Sequence, residues 1–386
     1  MSNEQPLPVV LVGGRGYGSR HLHHLRRLAA RGAVTLAGVC ELRPLSAGEL
    51  GEGLGSPAQD SDLGALLERT GARIVIVSTP IHTHVDLALT AAKAGAHLLV
   101  EKPPAPSMAE FRRLADGVRA AGVRCQIGFQ SLGSHAVPRI RELLAGGAIG
   151  HVRGFGAAGA WVREEAYWQR APWGGLRRTP DGRDVVDGVL TNPLAHAVAT
   201  ALRLAGADRE TDIDGVELEL YRVNDIAADD TSCARMTTSD GTPVVTAVTL
   251  AAERAGEPYV EVHGSTGRIT FWYKQDRVLL ERDGAEPEYS AYDRTDLLEN
   301  LIAHLRDATV PLLVPPERTG GFMRLVEAVR TAPEPATLPE PVWHSEPAEQ
   351  GPRRVLDGID ALTAAGARQL ALYSELGAPW AGSTTR

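Results

Sequence analysis

The sequence predicts an α/β protein: a doubly wound parallel sheet at the N-terminal end, then a second α+β region built on a large, mostly antiparallel open sheet. Three observations carry this prediction. From residue 7 to about 130, short apolar runs alternate with amphipathic stretches. A glycine-rich turn joins the first apolar run to the stretch that follows it. From about residue 152, strand-like runs separated by turn residues replace that alternation.

Taken in order, residues 8–12 read as a strand, Gly13-Gly14-Arg15-Gly16-Tyr17-Gly18 as the turn, and residues 19–30 as a helix. That order suits a pyrophosphate. Glycines let the backbone approach phosphates, and a helix N-terminus offers unpaired N–H groups and a partial positive charge. Aligning on Gly13 and Gly18 puts Arg15 where the spaced-glycine pattern has its middle glycine, and Gly14 and Gly16 flank it to absorb the shift. Further strands fall near 34–40, 73–78, 97–100 and 123–128. Ligands of such sheets bind at the carboxyl ends of the strands, where Glu41, Thr79-Pro80, Glu101-Lys102 and Phe129-Gln130 lie. Glu41 is placed to accept hydrogen bonds from ribose hydroxyls, so the region reads as a Rossmann-type dinucleotide-binding domain.

Beyond a helix at 138–145, strands are predicted over 152–162, 216–223, 233–238, 244–251, 259–263 and 268–274, with one helix over 193–204. Helices covering one face leave the other open, and burial of that face against a second copy predicts a dimer or tetramer. Residues 331–352, rich in proline and glutamate, read as a linker to a docking helix over 355–376. The regions are therefore 1–130, 131–335 and 336–386.

A chain of 386 residues exceeds one compact core. With 43% hydrophobic and 23% charged residues it has an ordinary globular composition. A net charge of -8 without a basic stripe argues against nucleic acid and anionic membranes as partners. The start lacks a basic segment followed by an apolar one, and no run is long enough to cross a bilayer, so the expected location is cytoplasmic. Cys40, Cys125 and Cys233 form no C-x-x-C pair and read as buried thiols. No metal set emerges: His21, His23 and His24 have no acidic neighbour in sequence and read as helix-surface and packing residues, His21 nearest the glycine turn.

Gly13 to Gly18, Thr79-Pro80 with His84, Gly95 through Glu101-Lys102-Pro103, Gly128-Phe129-Gln130, and Asn192 with His196 together make a specific pattern from about residue 7 to about 330. In it the chain resembles the glucose-fructose oxidoreductase, inositol dehydrogenase and MocA (Gfo/Idh/MocA) family of nicotinamide-dependent oxidoreductases. The resemblance implies NAD as cofactor, with NADP as the alternative. It places Gly13, Arg15, Gly16, Tyr17, Gly18, Glu41, Arg43, Thr79, Pro80, His84, Glu101, Lys102 and Gln130 on the cofactor side. It also implies that Lys102 and His196 face the reacting carbon, and that the bond before Pro103 is cis in some members. The chemistry agrees: an imidazole suits removal of a hydroxyl proton, and an ammonium can hydrogen-bond the developing alkoxide.

Asn192 stands where the family usually has a carboxylate, four residues before the histidine. It can position a hydroxyl but cannot carry charge, so without an acidic neighbour oxidation is expected to favour alkaline pH. Trp161 to Trp173 holds three of the six tryptophans, with Arg163 and Trp173 the preferred substrate contacts over Trp168. A hydrophobic plug between domains is the alternative for that segment. Tyr259 is a weaker candidate, and Asp229-Asp230 reads as a solvated turn. The leading function is an NAD(P)-dependent dehydrogenase of a sugar, sugar derivative or cyclitol. The competitors are redox-assisted glycoside cleavage and a non-catalytic nicotinamide-binding sensor.

Overall fold

The structure, a computed structural model, describes residues 5–382. It forms two compact units, each described by itself. The first holds the chain up to Gly128 together with Leu297–Pro316, and the second holds Phe129–Asp296 and the chain from Glu317 onward. Among the described residues no helix is long and apolar enough to cross a membrane.

In the first unit β1 (Leu7–Val12), β2 (Val34–Cys40), β3 (Ala58–Asp60), β4 (Ile74–Val77), β5 (His97–Val100) and β6 (Cys125–Ile127) build one sheet in the order β3-β2-β1-β4-β5-β6. Every pairing is parallel. Chain order reverses between β1 and β4, which makes the crevice at their carboxyl ends the topological switch point. Val9 to Leu11 and Ile74 to Val77 are fully buried, as continuous apolar strands are when helices cover both faces. The edge strand β3 had no counterpart in the sequence reading, because Ala-Gln-Asp is only half-buried and carries no apolar run.

Leu297–Pro316, which chain order alone leaves in the second region, packs with the first unit. The buried Gln126 side chain of β6 is the reason. Its Nε2 donates to Asn300 Oδ1 at 2.5 Å and its Oε1 accepts from Val314 N at 2.7 Å. A buried amide needs both partners, and this returning segment supplies them.

The second unit is organised on nine strands: β7 (Val152–Ala160), β8 (Ile213–Arg222), β9 (Thr231–Thr238), β10 (Pro243–Thr249), β11 (Tyr259–Gly264), β12 (Gly267–Trp272), β13 (Arg277–Arg282), β14 (Glu288–Ala291) and β15 (Ala336–Thr337). Their order is β14-β13-β12-β11-β7-β10-β9-β8-β15, antiparallel except where β10 meets β7 and β15 meets β8. The last three strands extend the expected six. β14 is exposed throughout and β15 is two residues long, so neither shows hydrophobic alternation.

Helices lie on both faces of this sheet, contrary to the expected open face. A Cβ on Gly159 would meet the Leu194 side chain, just before the buried helix Ala195–Ala205. Gly154 and Gly156 point to the opposite face, where a Cβ on Gly156 would sit 1.9 Å from the Ala367 carbonyl. That carbonyl belongs to the helix Ile359–Gln369, which is shorter than the sequence suggested. It is preceded by a hairpin of β16 (Trp343–Glu346) and β17 (Arg353–Leu356) and closed by Leu370 at φ +56°. Leu356, Ile359, Leu372 and Tyr373 complete a core with Tyr221, Cys233, Val245 and Ala247 of the sheet. Arg368 pairs with the buried Glu261, and Arg235 of β9 pairs with Glu375. Over β7 to β11 this strap covers the face.

Tyr373 is completely buried and donates its hydroxyl to Val248 O. Tyr373→Ala should therefore cost about 3–5 kcal/mol of stability by urea unfolding. A loss under about 1 kcal/mol would show that the strap adds nothing to the core of the second unit.

Candidate active site

At the switch point of the first unit the glycines meet backbone at distances a side chain does not allow. A Cβ on Gly13 would be 2.4 Å from Ser78 O, and one on Gly18 would be 1.9 Å from Gly13 O. Gly13 and Gly16 also take positive φ. The turn runs into the helix Gly18–Ala30 with Tyr17 as its partly exposed cap. Beside it lies a residue the sequence reading missed. The Ser78 hydroxyl is buried near Gly18 and has no partner, which is unusual unless a ligand provides one. Its only sequence signal is its place at the end of β4, before Thr79-Pro80.

Glu41, at the end of β2, accepts from Gly14 N at 2.7 Å and Arg15 N at 3.3 Å, so its carboxylate is fixed against the turn. The Arg15 side chain reaches across to Glu49 at 2.8 Å and to the carbonyl oxygens of Arg43 and Pro44. Arg43 itself is exposed.

His84 is buried, with Nδ1 2.8 Å from Pro103 O and Nε2 2.7 Å from Thr79 O. Both ring nitrogens thus face carbonyls, and the residue ties the loop after β4 to the turn after β5. Burial lowers its affinity for a proton, while the two carbonyls and Glu101 work the other way. Thr79 Oγ1 is 2.7 Å from Thr83 Oγ1, and Pro80 opens the short 3-10 turn Ile81–Thr83. Glu101 is buried against Gly128, where a Cβ would touch its carboxylate, and it lies 2.9 Å from His21 Nε2. The expectation that His21 and its neighbours lack acidic partners is corrected here. The fold brings Glu101 to His21 and Glu299 to His24 at 3.4 Å, across sequence separations no local reading spans. Lys102 follows at the carboxyl edge, half-buried, with its N–H toward Glu101 Oε2 at 3.3 Å and a cis bond to Pro103.

In the second unit His196 stands in the first turn of the helix Ala195–Ala205. Its Nδ1 is 3.2 Å from Ser131 Oγ, which accepts from Thr200 Oγ1 at 3.0 Å, and Phe129 packs edge-on against the ring at 5.7 Å. Thr200 lies one helical turn beyond the histidine, on the same face. Neither hydroxyl figured in the sequence reading. Gln130 opens the turn Gln130–Gly133 that carries Ser131.

Asn192 does have an acidic neighbour. Its Nδ2 donates to Asp187 Oδ1 at 2.5 Å, which overturns the expectation of an uncharged surrounding. The buried Asp187 carboxylate also accepts from Arg170 at 2.6 and 2.8 Å and from Gly175 N at 2.7 Å. Arg170 lies over Tyr167 and over Trp173. Arg163 lies between Trp161 and Tyr167, at 4.9 and 4.7 Å from the ring centres. Rings and guanidinium groups therefore alternate from Trp161 to Trp173, and Trp168 buries an indole N–H with no partner.

Asp229 and Asp230 do not form a solvated turn. Both are buried, Asp229 accepting from Ser232 Oγ and Asp230 from Val223 N, Asn224 N and Asn224 Nδ2. Burial pushes the Asp230 carboxyl up to about 6 against the pull of those donors. A raised value in the folded state stabilises at low pH, and the contribution is lost as pH rises from about 4 through about 6. Asp230→Asn should flatten the fall of stability across that window in urea titrations. An unchanged slope would assign it to another group.

A doubly wound sheet with a glycine turn at its switch point, continued by an α+β unit, defines a dinucleotide-binding protein with a dedicated second domain. Residues 7–129 match the model of the oxidoreductase family with NAD-binding Rossmann fold, and residues 137–270 match the GFO/IDH/MocA C-terminal domain. The chain belongs to the Gfo/Idh/MocA family.

It is 26% identical over 168 residues to levoglucosan dehydrogenase of Pseudarthrobacter phenanthrenivorans, covering 44% of this chain and 42% of that protein. It is 33% identical over 114 residues to scyllo-inositol 2-dehydrogenase (NAD(+)) of Bacillus subtilis, covering 29% and 33%. The chain thus spans less than half the length of these curated relatives. In fold it is similar to the WlbA dehydrogenase from Bordetella pertussis in complex with NADH and UDP-GlcNAcA, with TM-score 0.69 and 19% identity over 84% of this chain and 95% of that one. A levoglucosan dehydrogenase in complex with NADH has TM-score 0.66 and 20% identity over 84% and 96%.

Proposed function

We propose that the protein is an NAD(P)-dependent dehydrogenase that moves hydride between nicotinamide and a secondary alcohol carbon of a sugar, sugar derivative or cyclitol. The observation that carries this reading is Lys102 at the carboxyl edge of the parallel sheet, its turn held by Glu101 and His84. A protein that only sensed nicotinamide would not need an ammonium fixed there. The named relatives, which act on levoglucosan and scyllo-inositol, support the substrate class.

The first unit fits the cofactor. The glycine turn and helix N-terminus suit the pyrophosphate, the buried Ser78 hydroxyl waits for a polar partner, and Glu41 suits the adenosine ribose. When bound, nicotinamide supplies the hydride acceptor for oxidation and the donor for reduction. Lys102 hydrogen-bonds the oxygen on the reacting carbon and stabilises its developing negative charge. His196 takes the hydroxyl proton as hydride leaves, with Ser131 steadying its Nδ1. Asn192, Arg163 and Trp173 position the remaining hydroxyls and the apolar face of the ring. The protein works in this reading as a cytoplasmic enzyme on small polyols. Copies would associate through the sheet beyond the strap, where Tyr289 of β14 is 68% exposed.

The test is NAD-dependent oxidation of a panel containing levoglucosan, scyllo-inositol and methyl glucosides, followed by NADH absorbance. Steady NADH release fits a dehydrogenase, whereas cleavage without net NADH would point to redox-assisted glycoside breakdown. Lys102→Ala should lower kcat about a hundredfold or more with NAD affinity nearly intact. Turnover near the native rate in that variant would remove Lys102 from the chemistry.

Glu41, fixed against the glycine turn, suits the adenosine ribose and would repel a 2′-phosphate, with exposed Arg43 and nearby Arg15 as counter-charges. NAD should bind more tightly than NADP in titrations of both, and the reverse order would show that Arg43 or Arg15 dominates.

A further inference from the structure

The carboxylate missing from position 192 has not left this part of the fold. It sits five residues earlier, in the buried Asp187, and the chain is built around it. Val186, a β-branched residue, takes φ +50°, a conformation such residues rarely adopt without compensation. The compensation is local: Thr191 Oγ1 donates to Val186 O, Gly188 N donates to Thr191 Oγ1 at 3.2 Å, and Asn192 N donates to Gly188 O at 3.0 Å. Gly188 admits no side chain, because a Cβ would fall 1.9 Å from Asp229 Oδ1. This turn delivers a 3% exposed carboxylate to three donors on two elements, Arg170 and Gly175 N of the tryptophan-rich segment and Nδ2 of Asn192.

A carboxylate only accepts, so the amide of Asn192 has its nitrogen turned to Asp187 and its oxygen turned away. We propose that Asp187 is a positioning residue that holds the Asn192 side chain in one orientation at the substrate site and locks the Arg170–Trp173 segment to the same point. This rests on the dehydrogenase reading above for the identity of the site, but the pairing itself is independent of it.

Ionisable groups around Asp187 include Arg170 and Tyr167, the latter half-buried and pushed up by burial with the Asp187 charge adding to that effect, and Asp229, which lies against Gly188 with its carboxyl raised by burial. A pH course that appears in Asn192→Asp and not in the native chain therefore belongs to the new pair. In Asn192→Asp two carboxylates would stand where a 2.5 Å hydrogen bond now runs, and they must share one proton. The folded variant then holds a proton that the unfolded chain releases. Its destabilisation is absent near pH 4 and grows as pH rises through the value at which the pair ionises.

Thermal unfolding of the native chain, Asn192→Asp and the exchange variant Asp187→Asn/Asn192→Asp decides the pairing. The melting-temperature gap of Asn192→Asp should widen by several degrees between about pH 4.5 and pH 7.5, and the exchange variant, with one carboxylate again, should lose that widening. A parallel pH course for Asn192→Asp and the native chain would overturn the pairing. Kinetics with NAD and the panel sugar that the native chain oxidises fastest decide the positioning role. Asp187→Asn should raise KM about tenfold or more while lowering kcat less, and the exchange variant should recover most of that KM. A lowered melting temperature with unchanged KM would reduce Asp187 to a structural residue. If the native chain oxidises no panel sugar, the dehydrogenase reading falls while the unfolding experiment still judges the pair.

Discussion

Backbone in contact with backbone, at distances only glycine permits, is the constraint on which both units rest. Gly13 against Ser78, and Gly18 against Gly13, close the turn at the switch point and bring a helix N-terminus to the mouth of the parallel sheet. In the second unit Gly156 lies against the Ala367 carbonyl, so that a helix settles directly on the strand. A methyl group at any of these positions would force an element to shift. The cofactor turn and the strap are otherwise unrelated, yet each exists because a side chain is absent.

That constraint explains what could be read from the chain. Strands β1 and β4 are buried on both faces and show it as unbroken Val-Ile-Leu runs. The glycine turn, Glu41 and Lys102 were legible because their meaning is local: each lies within a few residues of a strand end. The strand β3 was not, since a half-buried edge strand needs no apolar pattern. The helix Leu297–Arg306 left no such mark in the sequence, because its contact with β6 runs through the buried amide of Gln126. The covered face was missed for a related reason. Gly154 and Gly156 look like weak strand residues until the helix that fills their space is known.

The site divides the same way. Lys102, His196 and Asn192 were found as residue types at family positions, but their supports were not. Ser131 and Thr200 hold His196, Glu101 meets His21, and Asp187 holds Asn192, all through contacts that sequence spacing does not announce. Asp187 is instructive because one substitution away from the usual pattern looked like a lost charge. The structure shows a buried carboxylate, Asp187, in contact with the neutral amide of Asn192. Reading a departure from a family motif therefore requires the neighbours of the changed position and not that position alone.

The path of the chain has a consequence for how the molecule is made. The parallel sheet is nearly complete in sequence by Gly128, but the segment that satisfies Gln126 arrives only after all of the strands β7 to β14 have been synthesised. The second sheet waits longer still, for the residues around Tyr373 that cover its apolar face. During vectorial synthesis both cores are therefore open at once, and neither unit closes before the other is almost fully translated. A ribosome stalled between about residues 220 and 290 would display a first unit lacking its closing segment and a second sheet lacking its cover, and such a nascent chain is a natural client for chaperones that bind exposed hydrophobic strands.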